Sequence, residues 1–346
     1  MTLNNIPVIW MWPKHARATK YNELLSEAIK RQGLIVKEFK PSSVFKMRRN
    51  HIYHVHWIQD AYNSKLIIIF LFKSIIFLSA LIYLRLIGTK IVWTVHNVFP
   101  HEIHFKKGEK IIRSLFAKLC NALIIMGRDL KTIVTEQFGI SPDKIYYIPH
   151  GHYFVYEIKG EDIRKKYQIA NDAFVYLFFG MIRKYKGIDN LIKAFCYLND
   201  PKTHLVIAGN PHRDIDIETL RKIAPRNSTI IDRFIFDDEV GDLLNAADAL
   251  VLPYSEITTS GAAILGISYG KPVVAPDLGC LHEYVNNTCG VLYDIDDPLG
   301  LQKALQKVRL LDPYKVRKVS EEVIRNLDWN KIGQMYKDLY LSLIND

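Results

Sequence analysis

The chain has 346 residues, 49% hydrophobic and 24% charged, with 18 glycines and 14 prolines. That balance excludes a collagen, a disulfide-stapled mini-protein and a low-complexity tail, and at this length one core stops growing, so two domains are expected. The net charge of +10 is held unevenly: residues 1–155 carry 22 Lys and Arg against 9 Asp and Glu, a balance of +13, and the remainder stands at −3.

In chain order, short apolar runs alternate with longer helical patterns. Val8–Trp12, Ile52–His56, Lys90–His96, Ala122–Met126 and Ile145–Pro149 read as strands, with helices over Tyr21–Gln32, Glu109–Cys120 and Asp129–Phe138 between them. The run over residues 66–86, LIIIFLFKSIIFLSALIYLRL, is long enough to cross a bilayer. A crossing would put the strands on either side of it across a membrane from each other, so an in-domain helix with an exposed apolar face is expected. Turn residues and His150-Gly151-His152 then interrupt the pattern near residues 150–172. A second series follows, with strands at Phe174–Gly180, His204–Gly209, Ser228–Ile231, Ala249–Pro253, Pro272–Ala275 and Gly290–Tyr293, again interleaved with helices. The βα rhythm predicts an α/β architecture of two doubly wound, Rossmann-like domains with parallel sheets.

The four cysteines, Cys120, Cys196, Cys280 and Cys289, are far apart and form no CxxC pair, as expected of reduced core residues in a cytosolic protein, and the amino terminus shows no secretory pattern. The basic first half suits an anionic partner, whether nucleic acid, lipid headgroups or a phosphorylated substrate, and a solvated basic face is the plain alternative.

Two loops carry chemistry. In FFGMIRKYKG, at the end of the Phe174 strand, Gly180 permits close approach to the strand end, while Arg183 and Lys186 aim two cations there, where a pyrophosphate fits. A basic loop at a helix start would by itself be slightly disfavoured by the helix dipole. In LPYSEITTSGAA, a small-residue stretch opens a helix, so the amides of Ser260, Gly261 and Ala262 form an anion site reinforced by the Ser and Thr hydroxyls; the simpler reading is a Ser or Thr cap. In the first half, His56, Trp57 and Asp60 follow one strand and His96, His101 and Glu102 the next, at carboxyl ends where such sheets bind ligands.

The run GMIRKYKGIDNLIKAF, followed by HLVIAGNP, VGDLLNAADALVLPYSE and YGKPVVAPDLGCLHEYVNNTCGVLYD, resembles the donor domain of GT-B nucleotide-sugar glycosyltransferases of the large family-four type, over most of residues 174–295. TVHNVFPHE and YYIPHGHY are similar to bacterial exopolysaccharide glycosyltransferases of that kind, and DWNKIGQMYKDLYLSLI resembles the terminal helix that crosses back to the first domain. The resemblance implies an acceptor-binding domain over 1–155 completed by 328–346, and a donor-binding domain over 156–327 facing it across a cleft. It makes His96 a donor-sugar contact, places Gly180, Arg183, Lys186, Glu256, Thr259, Ser260, Gly261 and Ala262 at the donor, and offers Glu102 or Asp60 as general base if the reaction inverts. One departure stands out: where most members have two glutamates eight residues apart, this chain has Ile257 and Leu265, with Glu256 one residue early. Leu265 has no polar group for a ribose, and the TTSGAA version is similar to a divergent subgroup containing β-mannosyltransferases.

The expected activity is transfer of a sugar from a GDP- or UDP-sugar to a saccharide on a membrane carrier. Arg183, Lys186 and the Ser260 to Ala262 amides would hold the diphosphate, so no metal or other cofactor is expected; Asp237-Asp238 reads as a charged turn. The expected partners are the nucleotide sugar, a lipid-linked or oligosaccharide acceptor and an anionic membrane surface, with no nucleic acid, and the expected place is the cytoplasmic face of the cell membrane. The alternatives are a sugar-nucleotide epimerase or hydrolase and a non-catalytic binding subunit. A nicotinamide dehydrogenase would need GxGxxG after its first strand, where WMWPKHAR has no glycine.

Overall fold

The computed structural model describes residues 7–16, 19–98 and 104–345. Two compact units divide the chain, Met1–Gly151 with Leu327–Asp346, and His152–Asn326. The first runs β1 (Val8–Trp12), α1 (Tyr21–Arg31), β2 (Ile35–Glu38), β3 (His51–Val55), α2 (Gln59–Tyr62), α3 (Ile67–Leu86), β4 (Lys90–Thr94), α4 (Lys106–Leu119), β5 (Ala122–Ile125), α5 (Leu130–Phe138) and β6 (Ile145–Tyr147). The second runs α6 (Ile163–Lys166), β7 (Phe174–Phe179), α7 (Ile188–Leu198), β8 (Thr203–Ala208), α8 (Ile217–Ile223), β9 (Ser228–Ile231), α9 (Asp237–Ala246), β10 (Ala249–Val251), α10 (Gly261–Ser268), β11 (Val273–Pro276), β12 (Gly290–Tyr293), α11 (Gly300–Val308) and α12 (Pro313–Asn326). A last helix, α13 (Trp329–Asn345), belongs to the first unit and packs on α1, with Gly333 against the Ala28 carbonyl.

Each unit holds one six-stranded sheet, ordered β2-β1-β3-β4-β5-β6 in the first and β12-β11-β10-β7-β8-β9 in the second, and all pairings between these strands are parallel. Parallel strands covered on both faces need unbroken apolar runs, and β5 (ALII) and β8 (THLVIA) are buried along their whole length. The sequence pattern misses one strand, β2. Its four residues, IVKE, lie at the sheet edge with Ile35 exposed, so they lack the apolar signature of their neighbours.

The strand order fixes where ligands can sit. Direction reverses between β1 and β3 in the first sheet, and between β7 and β10 in the second, which pair through Ala249↔Tyr176 and Leu250↔Leu177. At such a reversal the loops leaving the two strands part to opposite faces and leave a crevice at their carboxyl ends.

Candidate functional site

In the second unit, the loops after β7 and β10 are the two stretches singled out above, and they are stitched together. Ser255 donates its amide and its hydroxyl to the Tyr185 carbonyl, at 2.8 and 3.0 Å. Gly187 has φ +63°, and a Cβ there would overlap the Pro253 carbonyl oxygen, so only glycine lets the two loops close to this distance. The loop after β8 joins them: Ile182 donates its amide to the Asn210 carbonyl, and His212 donates its own to the Ile182 carbonyl.

Lys186 lies among aromatic rings, with Nζ 5.7 Å from the centre of Phe178 and 5.1 Å from that of Tyr254. Burial, reinforced by the charge of Arg183, pushes its ammonium down to about 8. An ammonium in such surroundings gains most from an anion. Gly180, at φ +132°, leaves the space that Lys186 uses: a Cβ built on it would lie 3.1 Å from Nζ. Arg183 packs over the Tyr185 ring and lies 3.6 Å from Asp214, which His212 also approaches at 3.0 Å. Burial works to raise the Asp214 carboxyl, but His212 and Arg183 outweigh it and hold it below its ordinary value. The sequence reading missed Asp214, because the residue that fixes Arg183 comes from another loop 31 positions on.

The helix start at α10 corrects one expectation. The Ser260 hydroxyl oxygen is the cap, accepting the Ala263 amide at 3.1 Å; the side chain is buried and also meets the Tyr254 hydroxyl. Its oxygen is engaged by the helix, and the first-turn amides of Gly261 and Ala262 have no intrahelical acceptor. Thr259 is half-buried beside them, Glu256 is exposed, and Leu265 is buried within α10. Asp237 and Asp238 open α9 rather than forming a turn, where the dipole favours acids.

In the first unit the corresponding crevice is built of rings. His96 follows β4 in a loop, two residues beyond the strand's end, and its Nε2 lies 3.0 Å from Nδ1 of His56. Trp57 stacks on His96 with centroids 4.6 Å apart and planes at 16°, and Tyr21 meets His96 edge-on at 5.1 Å. Behind them runs a polar chain: Tyr340 to His54 at 2.8 Å, His54 to Thr94 at 2.8 Å, Thr94 to Tyr336 at 3.5 Å, and Tyr336 to Tyr21 at 3.1 Å. His150, whose ring lies 4.6 Å from that of Tyr21, donates Nδ1–H to the Gly151 carbonyl at 2.7 Å, which fixes its neutral tautomer. Burial pushes His54 and His96 down to about 3 and His150 to about 4, and holds His56 well below its ordinary value, so all four are neutral near pH 7. Nε2 of His56 is buried without a hydrogen-bond partner among the described residues.

Arg113 contributes to the positive charge of the first half but is buried: Nε binds Glu109 at 2.7 Å, and its other nitrogens reach Gln59 and the carbonyls of Asn97 and Val98, just after His96. It therefore anchors the loop that carries His96. Asp60 is exposed on α2, and His101 and Glu102 lie outside the described residues.

Residues 159–325 match the family described as glycosyl transferases group 1, and residues 9–152 match glycosyltransferase family 4. The chain is 26% identical over 308 residues to the GDP-mannose:glycolipid 4-beta-D-mannosyltransferase of Xanthomonas campestris pv. campestris, covering 86% of this chain and 81% of that protein. Among solved structures it resembles the sucrose-phosphate synthase of Thermosynechococcus elongatus, with a TM-score of 0.75 at 16% identity over 98% of this chain and 99% of that one. It also resembles Anabaena HepE solved with UDP-glucose, with a TM-score of 0.73 at 15% identity over 97% and 100%.

Proposed function

Because the chain belongs to the group 1 and family 4 glycosyltransferases and has the GT-B fold, we propose that it moves one sugar from a nucleotide diphosphate sugar to a saccharide carried on a membrane lipid. The observation that carries the donor assignment is the junction of the Gly180–Gly187 and Pro253–Ala262 loops at the sheet reversal, with Lys186 held among Phe178 and Tyr254. GDP-mannose is the first donor to test, since the mannosyltransferase relative is named for it and for a glycolipid acceptor.

In the reaction an acceptor hydroxyl attacks the anomeric carbon, the bond from that carbon to the phosphate oxygen breaks, and the electron pair leaves on the diphosphate. Arg183 and Lys186 take up that charge together with the first-turn amides of α10, in a partly desolvated loop where such contacts are strongest. These groups take up part of the diphosphate charge, and on this reading we assign no metal to the reaction. His96 is neutral and engages His56 through Nε2, which leaves Nδ1 to meet a sugar hydroxyl. Glu102 and Asp60 remain the candidates for the base that takes the acceptor proton. The work is done at the cytoplasmic face of a membrane, where a lipid-linked acceptor is met.

A thermal-shift series with GDP, UDP, GDP-mannose and UDP-glucose, with and without EDTA, tests this reading. A ligand at 100 times its Kd adds about 2.7 kcal/mol of stability. The expected result is a shift with GDP and GDP-mannose that EDTA does not remove. A shift with UDP alone overturns the base, and no shift with any of the four overturns the donor site.

A further inference from the structure

α3 turns a narrow stripe inward, Phe70, Ser74, Phe77, Leu81 and Leu84, and leaves most of its circumference in solvent. Ile68, Phe72, Ile75, Ile76 and Leu86 are exposed on it, and Ile111 and Leu115 of α4 are exposed on the helix packed beside it. At 3.6 residues per turn, Lys73 and Arg85 fall about 60° to either side of the buried stripe, and the line opposite the stripe runs through Ile68, Phe72 and Leu86. The two charges of the helix therefore flank its contact with the protein, and its outer line is apolar except for Ser79.

Both ends of α3 are cationic. Gly108 packs on the Phe70 ring and Phe105 lies 5.2 Å from it, which places Lys106, Lys107 and Lys110 near the first end, beside Lys65. At the other end Gly88 packs on the Arg49 side chain and the Thr89 hydroxyl donates to the Arg48 carbonyl at 3.0 Å, so these arginines gather beside Arg85. No acidic residue occurs between Asp60 and Glu102, and Glu109 is turned inward to Arg113.

These features select among occupants. β3 and β4 pair in parallel, Ile52 with Lys90 through Val55 with Trp93, so the helix joining them returns along its own sheet and does not cross a bilayer in this fold. A second copy laid on α3, in either direction, would set cationic ends against cationic ends. A surface of acyl chains below anionic headgroups satisfies both the apolar line and the charged ends and flanks. We propose that α3 is an in-plane anchor, lying along an anionic lipid leaflet with Phe72 on its deepest line and the two cationic ends on headgroup phosphates. The purpose of the anchor rests on the lipid-linked acceptor proposed above, but its binding is measured without donor or acceptor, so either reading can fail alone.

The test is flotation of the full chain with vesicles of phosphatidylcholine, with and without one quarter phosphatidylglycerol, beside sedimentation of the protein alone. The expected result is binding to the anionic vesicles at least tenfold tighter than to the neutral ones, with most of it lost in 1 M NaCl. Ile68→Glu with Phe72→Glu, and separately Lys106→Glu with Lys107→Glu and Lys110→Glu, should each cut binding at least tenfold while leaving the melting temperature in place, since all five side chains are exposed. Equal binding to both vesicle types, release by detergent alone, or a soluble dimer dispersed by Phe72→Glu without lipid binding would each overturn the proposal.

Discussion

The two crevices occupy corresponding places on similar sheets and have opposite electrical character. In the first unit, histidines and tyrosines are stacked and hydrogen-bonded until no charge remains near pH 7. In the second, two cations stand in a loop of small residues, one of them held by an acid from a third loop and the other with its value lowered to about 8 by burial and by the charge of Arg183. A sugar offers hydroxyls and a diphosphate offers charge. On the proposed reading the neutral crevice would meet hydroxyls and the cationic one the diphosphate, so one topology would serve both, with the distinction made by which residues the loops carry.

The sharpest way to break this comparison is to remove the charge from the second crevice. Arg183→Ala and Lys186→Ala should each lower transfer by about 10²–10³-fold with the far-ultraviolet spectrum unchanged, as for loss of one group that stabilises a developing anion. Near-normal turnover in both variants would take the diphosphate out of this loop.

Acid tests the first crevice. His54 and His150 are buried with values held below the 6.5 of an ordinary imidazole, so the unfolded chain binds protons that the folded one refuses. Their stability contribution is complete above about pH 6.5 and is lost as pH falls toward 4 and 3, at about 2 kcal/mol for each by pH 5. Hydrogen exchange should show the strands of the first unit opening more readily at pH 5 than at pH 7. Unchanged protection there would mean that the histidines are already charged.

Alkali gives the smallest effect, in the second crevice. The protonated form of Lys186 binds the anion, so donor affinity should be full below about pH 8 and weaken about tenfold by pH 9. Lys186→Arg keeps its charge throughout. In calorimetric titrations it should flatten that slope, and an equal slope in the variant would assign the titration elsewhere.

How much of this was legible in the sequence follows from how far apart the partners lie. The loops after β7 and β10 are each contiguous, a strand end running into a helix start, so FFGMIRKYKG and LPYSEITTSGAA disclose their cations and amides directly. The ring cluster is assembled from Tyr21, His56, His96, His150 and the tyrosines of α13, and no local pattern marks them as neighbours. The burial of Arg113 is hidden in the sequence for the same reason. Four residues after Glu109 on a helix, Arg113 has the spacing of an ordinary surface pair, and only Tyr62 and Gln59 from another element show that the pair is buried.

The position of α13 has a consequence for the order in which the protein can be made. Tyr336 and Tyr340 complete the polar chain through His54, Thr94 and Tyr21, so the first unit is unfinished until residues 329–345 have been synthesised. The second unit is one continuous stretch, His152–Asn326, and can close while the ribosome is still extending the chain. At roughly 5–20 residues per second, the first 151 residues wait roughly 10–40 s for their last helix. The unit that begins first is therefore the one that finishes last, and α3, made well before residue 151, stands through that interval with its apolar side already uncovered.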